Sequence, residues 1–140
     1  MEFGWLKVEP TSPQEIKNLL DIISRGLKDA KVEAISDDLR LIAAFNAALT
    51  AASVALRACG YRVSPQQGHH MKMIDTMEYT LKSDTSLIRK MRVISKRRNT
   101  TSYDSAGSVS AQELEQAINV ADELQQHVTA WLKENHPRLL

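Results

Sequence analysis

Residues 36–60 read SDDLRLIAAFNAALTAASVALRACG, and what this stretch becomes decides the fold. Ser36-Asp37-Asp38 suits a helix start, because acids are favoured at the positive end of the helix dipole. Gly60 supplies the stop. Between them lies the most apolar run of the chain, Leu41 to Cys59, interrupted by Asn46, Thr50, Ser53 and Arg57. Its alanines (Ala43, Ala44, Ala47, Ala48, Ala51, Ala52 and Ala55) favour helix and let neighbouring helices approach closely. A membrane span asks for about 20 predominantly apolar residues. The polar interruptions instead predict a buried helix, apolar on most sides and therefore central.

Working outward, four more helices are legible and no convincing strand. Ser12-Pro13-Gln14-Glu15 is a capping box with proline at the first helical position. Ile16, Leu19, Leu20, Ile23 and Leu27 then recur on one face, with Gly26 expected to loosen or end the helix. A third helix is expected from Ser64-Pro65-Gln66-Gln67, with His70, Met73, Ile74, Met77 and Leu81 as its stripe. A fourth begins near Asp84 and turns Leu87, Ile88, Met91 and Ile94 inward. Arg98 is the next position on that stripe, and the polar stretch Asn99 to Gly107 is expected to break the helix. Ser110-Ala111-Gln112-Glu113 opens the last, with Leu114, Ala117, Ile118, Ala121, Leu124, Val128 and Trp131 or Leu132 inward. It stops before Pro137. The fold class is all-α, an antiparallel bundle of four to five helices. Residues 1–11 form an N-terminal arm whose Phe3, Trp5 and Leu6 have the chemistry to dock. Residues 12–136 form a single helical domain.

Composition bounds the rest. The chain has 140 residues, 43% of them apolar and 25% charged, as in a soluble one-domain protein. Met1 to Pro10 has no basic and apolar signal-peptide pattern. A single cysteine, Cys59, fits a reducing, cytoplasmic setting without membrane attachment, and is expected to be buried. His69 is expected to be solvated, His70 half-buried against the third stripe, and His127 and His136 on the surface. No cofactor motif and no metal-ligand spacing is present.

One local feature departs from this background. From Lys82 to Arg98 there are seven Lys or Arg (Lys82, Arg89, Lys90, Arg92, Lys96, Arg97, Arg98) and one acid, in a chain whose net charge is +1. Such a run is either a solvated face, a seat for RNA or nucleotide phosphate, or a dock for an acidic partner. It lacks the interleaved aromatics of single-strand stacking platforms.

The end of that run, Arg98-Asn99-Thr100-Thr101-Ser102-Tyr103, together with the Ala-rich long helix, the Gly68-His69-His70 start of the third helix and the closing helix up to Trp131-Leu132, resembles the HEPN superfamily. The resemblance covers roughly Ser12 to Glu134. It implies an all-helical bundle, commonly a homodimer, with an arginine, four to six residues and a histidine facing their partner copies across the interface. Active members are metal-independent endoribonucleases. Many are toxins paired with a minimal nucleotidyltransferase. Carried over by position, Arg98 matches the arginine and Asn99 the polar residue after it, while Tyr103 stands in place of histidine. The expected catalytic pair, if the protein is active, is therefore Arg98 and Tyr103. The expected ligand-binding set is Lys96, Arg97, Arg98, Asn99, Tyr103 and Asp104.

The exchange of histidine for tyrosine matters chemically. Histidine titrates near neutrality and can take and return a proton. A phenol of pKa about 10 is ionised roughly one part in a thousand at pH 7. Some members also carry a tyrosine two residues past the histidine that the partner enzyme modifies, and here that position is Ser105. The expectation is a dimeric helical module that binds a phosphate-bearing ligand, RNA or nucleotide, or a minimal nucleotidyltransferase, with ribonuclease activity weak or lost. The alternatives are an active endoribonuclease toxin using Tyr103, and a helical adaptor with no nucleic-acid role.

Overall fold

The computed structural model of the chain describes residues 5–64, 68–83, 85–103 and 109–140, with the side chains of residues 69 and 100–103 outside that description. Five α-helices carry the fold: α1 (Pro13–Ala30), α2 (Asp37–Ala58), α3 (His69–Thr76), α4 (Thr85–Tyr103) and α5 (Ala111–Asn135), followed by a 3-10 turn over Pro137–Leu139. The chain is an all-α bundle with α2 at its centre, packed most extensively on α1 and α5 and also touching α3 and α4.

Helix α2 has the length and composition to cross a membrane. In this fold much of its apolar surface is taken up by the other helices: Leu41, Phe45, Val54 and Leu56 and most of the alanines between them are buried, while Ile42, Ala43 and Leu49 are half-buried. Ser36 caps it, its side chain accepting from the Leu39 N–H at 3.3 Å. The helix ends at Ala58, and Cys59 turns into Gly60, whose φ of +90° is open to glycine at little cost.

Helix α1 starts as its capping residues dictate, with the Ser12 hydroxyl accepting from the Glu15 N–H at 3.2 Å. The reciprocal half of the box is absent. The Glu15 carboxylate instead accepts from the Thr11 hydroxyl at 2.6 Å and pairs with Arg57 of α2 at 3.1 Å. Nor does Gly26 end the helix, which continues to Ala30. Glycine is needed there for packing rather than for a turn. A Cβ built on Gly26 would lie 3.2 Å from the Ala47 Cβ and 3.3 Å from the Ala43 carbonyl oxygen. The two helices cross with almost nothing between their backbones.

The arm corrects the strand-free expectation. Leu6–Val8 (β1) pairs antiparallel with Tyr61–Val63 (β2), in the register Leu6↔Val63, Lys7↔Arg62 and Val8↔Tyr61. The ladder is extended by Ser64 N–H to the Trp5 carbonyl and Glu9 N–H to the Gly60 carbonyl, both at 2.8 Å, and by the Arg62–Glu9 ion pair at 2.8 Å. Two three-residue strands carry no readable alternation. Their pairing exists because the end of α2 presents an edge beside the arm.

The third helix is shorter than its stripe. It spans His69–Thr76 and passes into turns that still bury Met77 and Leu81. Of the expected opening Ser64-Pro65-Gln66-Gln67, residues 65–67 lie outside the described residues, and Ser64 is not the cap of α3: it extends the strand ladder through Trp5, and the helix is preceded by Gly68 without a side-chain cap. The fourth helix is longer than expected: it begins at Thr85 and runs through Asn99 to Tyr103. Asn99 to Tyr103 contains neither glycine nor proline. Polar residues alone cost a helix only a few tenths of a kcal/mol each once it is nucleated. Helix α5 has the full capping box, with Ser110 and Glu113 satisfying each other's backbone N–H groups, and the 3-10 turn then buries Leu139.

The α1–α2 crossing gives a graded expectation. Replacing Gly26 with alanine trades a helix-propensity gain of about 1 kcal/mol against a tight contact, so urea unfolding should change little. Gly26→Leu should lower the unfolding free energy by roughly 1–3 kcal/mol. Equal midpoints for Gly26→Leu and the parent chain would show that the crossing is not this close in solution.

Candidate functional site

Helix α4 sorts its residues by register. Leu87, Ile88, Met91, Ile94 and Ser95 are buried against the bundle, as the stripe predicts. At about 100° per residue, Arg89, Arg92 and Lys96 fall together on the opposite side, and all three are exposed, as is Lys90. The α4 basic run is therefore not spread evenly: a core of three cations shares one solvent face. Of these, Arg92 pairs with Asp75 of α3. Arg89 has no ion pair or side-chain hydrogen bond among the described residues.

The residues expected from the loop reading fare differently. Arg98 sits at the centre of the inward stripe, half-buried. Its Nε is sealed from solvent with no hydrogen-bond partner among the described residues, and its Nη1 reaches Asn99 Oδ1 only at a long 3.4 Å. Tyr103 is not across a loop from it. The two lie on one continuous helix, five positions apart, so their Cα atoms are about 140° apart around the axis. Arg97 is half-buried, with its Nε 2.6 Å from the Glu113 carboxylate. Lys96 and Asn99 are exposed, and Asp104 lies outside the described residues. The five of these residues that are described thus lie toward one end of one helix, but Arg98 is on its buried side, Arg97 is clamped to α5, and Lys96 and Asn99 face solvent.

The Arg97–Glu113 contact is chiefly structural. Glu113 is held below the ordinary carboxylate range first by the Ser110 backbone N–H and then by Arg97, against the opposing effect of burial. It ties the end of α4 to the capped start of α5 across residues 104–108.

A second arrangement was not singled out from sequence. Between the arm, α3 and the first half of α4 lies a cleft of about 660 Å³, lined by Trp5, Asp75, Glu78, Tyr79, Ser83, Thr85, Ile88, Arg89 and Arg92. Trp5 is carried there by the β1–β2 pairing, and the Lys72 ammonium lies 5.8 Å from its ring centre. Ser83 follows Lys82, whose φ is +53°. This turn drops the serine inward: its Oγ is buried and makes no hydrogen bond among the described residues. The i, i+3, i+7 spacing of Arg89, Arg92 and Lys96, opposite the apolar stripe, was the sequence signal for this face. Nothing local could have brought Trp5 to it.

The remaining candidates recede. Cys59 is exposed at the end of α2 rather than buried, and local desolvation pushes its thiol pKa up, away from thiolate chemistry. His70 is half-buried, its ring 6.3 Å from that of Phe45. His127 and His136 are half-buried rather than on the open surface. His136 lies against Trp131 at 4.9 Å, and desolvation followed by the charge of Arg138 lowers its pKa. Among the described residues no three His, Cys, Asp or Glu side chains gather as a metal site would need. No protein-family model, curated protein or solved structure matches this chain.

Because Glu113 and Glu15 have folded pKa values below their ordinary 4.5, the stability they contribute is fully present above that value. It is lost as pH falls through the depressed ones. Glu113→Gln should therefore lower stability at about pH 7 while shrinking the loss between about pH 7 and pH 3. An acid limb identical in parent and variant, measured by urea titration at both pH values, would contradict this.

Proposed function

We propose that this protein is a dimeric, HEPN-like helical module that binds a phosphate-bearing ligand, RNA or a nucleotide, through the solvent face of α4, with ribonuclease chemistry weak or absent. The observation that carries the reading is the exposed triad Arg89, Arg92 and Lys96 on one face of a single helix, with Arg89 lacking an intramolecular acid among the described residues. Three cations kept on one side of a near-neutral protein make a local positive field rather than a general coat. The order of five helices around an alanine-rich centre supports the family resemblance at the level of architecture.

The weak-chemistry part rests on protons. Metal-independent cleavage of RNA needs a group that accepts the 2′-hydroxyl proton near neutrality. Tyr103 in the motif's last position is poorly suited to this, and Arg98 belongs to the inward stripe of α4. A minimal nucleotidyltransferase is the protein partner this reading favours, with its own phosphate-handling surface opposite the same face. Pairing of two copies is supported by large apolar side chains left in the open along α1 and α2: Ile22 is 43% exposed and Leu39 57%. They border one shallow groove with Ile42 and Ala43.

Single-stranded RNA carrying a fluorophore should bind with an affinity that falls about tenfold or more between about 50 and 200 mM salt, as release of counterions from about three phosphates requires. Arg89→Glu with Lys96→Glu should abolish most of that binding, and the RNA should stay intact. Salt-insensitive binding, or no effect of the double substitution, would remove this reading in favour of an adaptor. Cleavage without metal that disappears in Arg98→Ala would establish the toxin alternative. Sedimentation at tens of micromolar should show a dimer that Leu39→Glu dissociates; a monomer in the parent chain would remove the paired state.

A further inference from the structure

We infer that the cleft between the arm, α3 and α4 is a seat for a single terminal phosphate, a phosphomonoester, whose organic body lies against Trp5. The inference rests on the phosphate-binding reading of α4 and makes it specific: an end is recognised, not a backbone.

Two independent observations converge. Arg89 and Arg92 line the cleft from α4, and Arg89 has no acid of its own among the described residues. Ser83 is only 7% exposed, lines the same cleft, and holds a buried Oγ without a hydrogen-bond partner among the described residues. A buried hydroxyl left unpaired costs on the order of 1–3 kcal/mol, which a ligand oxygen accepting its proton would recover. A hydroxyl donor and a guanidinium fork are the donors that phosphate oxygens take up.

The acids decide which phosphate. Asp75 and Glu78 also line the cleft, and Asp75 is engaged by Arg92. The four charged groups sum to zero, so an extended polyanion laid through the cleft would meet as many carboxylates as guanidiniums. A terminal monoester concentrates about −1.5 to −2 charges on three oxygens at one point. It can take Arg89 and Ser83 as its donors and leave the acids to face neutral or amino-bearing parts of the ligand. The volume of about 660 Å³ suits a ligand of small-molecule size. The half-buried indole of Trp5 supplies an apolar wall for a ring.

Phenyl phosphate is the simplest probe with both parts. In a Trp131→Phe background Trp5 is the sole tryptophan, and its fluorescence should change saturably on titration with phenyl phosphate. Inorganic phosphate should act more weakly and phenol not at all. Arg89→Ala should weaken phenyl phosphate binding about tenfold or more, and Ser83→Ala by several fold, as loss of a charged and a neutral hydrogen bond implies, with unchanged helical circular dichroism. Calorimetric titration of the unsubstituted chain should give the same order of ligands. A 5′-phosphorylated RNA oligomer should bind more tightly than its 5′-hydroxyl twin, and Arg89→Ala should erase the difference.

No saturable response to phenyl phosphate in either measurement, or one indifferent to Arg89→Ala, would overturn the seat. Equal, salt-dependent binding of the two oligomers would also overturn it while leaving the α4 face as an RNA surface. Arg89-dependent phenyl phosphate binding with no RNA binding would keep the seat and assign it to a small phosphomonoester.

Discussion

The near-contact of α1 and α2 at Gly26 is the constraint from which the rest of the bundle follows. With no side chain on Gly26 and only methyl groups on Ala43 and Ala47, the two backbones approach until a single added carbon would sit 3.2 Å from its neighbour. Dispersion at such a seam is collectively large because it falls off steeply with separation. The alanines that line one side of α2 leave larger residues on the opposite side, Leu41, Phe45 and Leu56, for the other elements. Helix α5 takes a second long seam with Leu124, Val128 and Leu132. Helices α3 and α4 close the remaining side with smaller contacts. The order of intimacy, α1 before α5 before α4, is a consequence of where the small residues lie.

Helix α4 is therefore the least enveloped long helix, and the consequences for chemistry are direct. It buries a narrow stripe and leaves the rest of its circumference to solvent, where the arginines and lysines stand. Its far end is not free either: Arg97 meets Glu113 of α5 at 2.6 Å, and Glu113 is itself part of a capping box. One carboxylate thus orients the start of α5 and anchors the end of α4. That double duty explains why Arg97 is a tie between elements more than a ligand-binding group, while Arg98, next to it, falls on the inner side by its register with Met91 and Ile94.

Placed on this frame, the HEPN resemblance and the cleft pull attention to different ends of the same helix. The motif end carries Arg98 and Tyr103 on opposite-leaning register positions of one continuous helix. The other end carries two arginines, a buried hydroxyl that is unpaired among the described residues, and an indole around an open volume. Binding of phosphate at the second end requires no proton transfer, only donors already in place, and is the chemistry most in keeping with the tyrosine in the motif.

The sequence by itself determined the helices, their inward faces and the central role of residues 37–58, because apolar periodicity and capping side chains act within a few residues of each other. Ser12, Ser36 and Ser110 cap where they stand, and Leu87, Ile88, Met91 and Ile94 point inward as their spacing requires. Periodicity also contained the basic face, in the spacing of Arg89, Arg92 and Lys96. What it could not contain was anything settled by two distant segments meeting. The strand pairing of Leu6–Val8 with Tyr61–Val63 is one case, and the delivery of Trp5 to a cleft on α4 is another. Gly26 serving a helix crossing rather than a helix end, and the continuation of α4 through Asn99, belong with them. Local propensity differences there amount to about 1 kcal/mol at most, and the decision passed to packing, whose contacts exist only once the chain has folded.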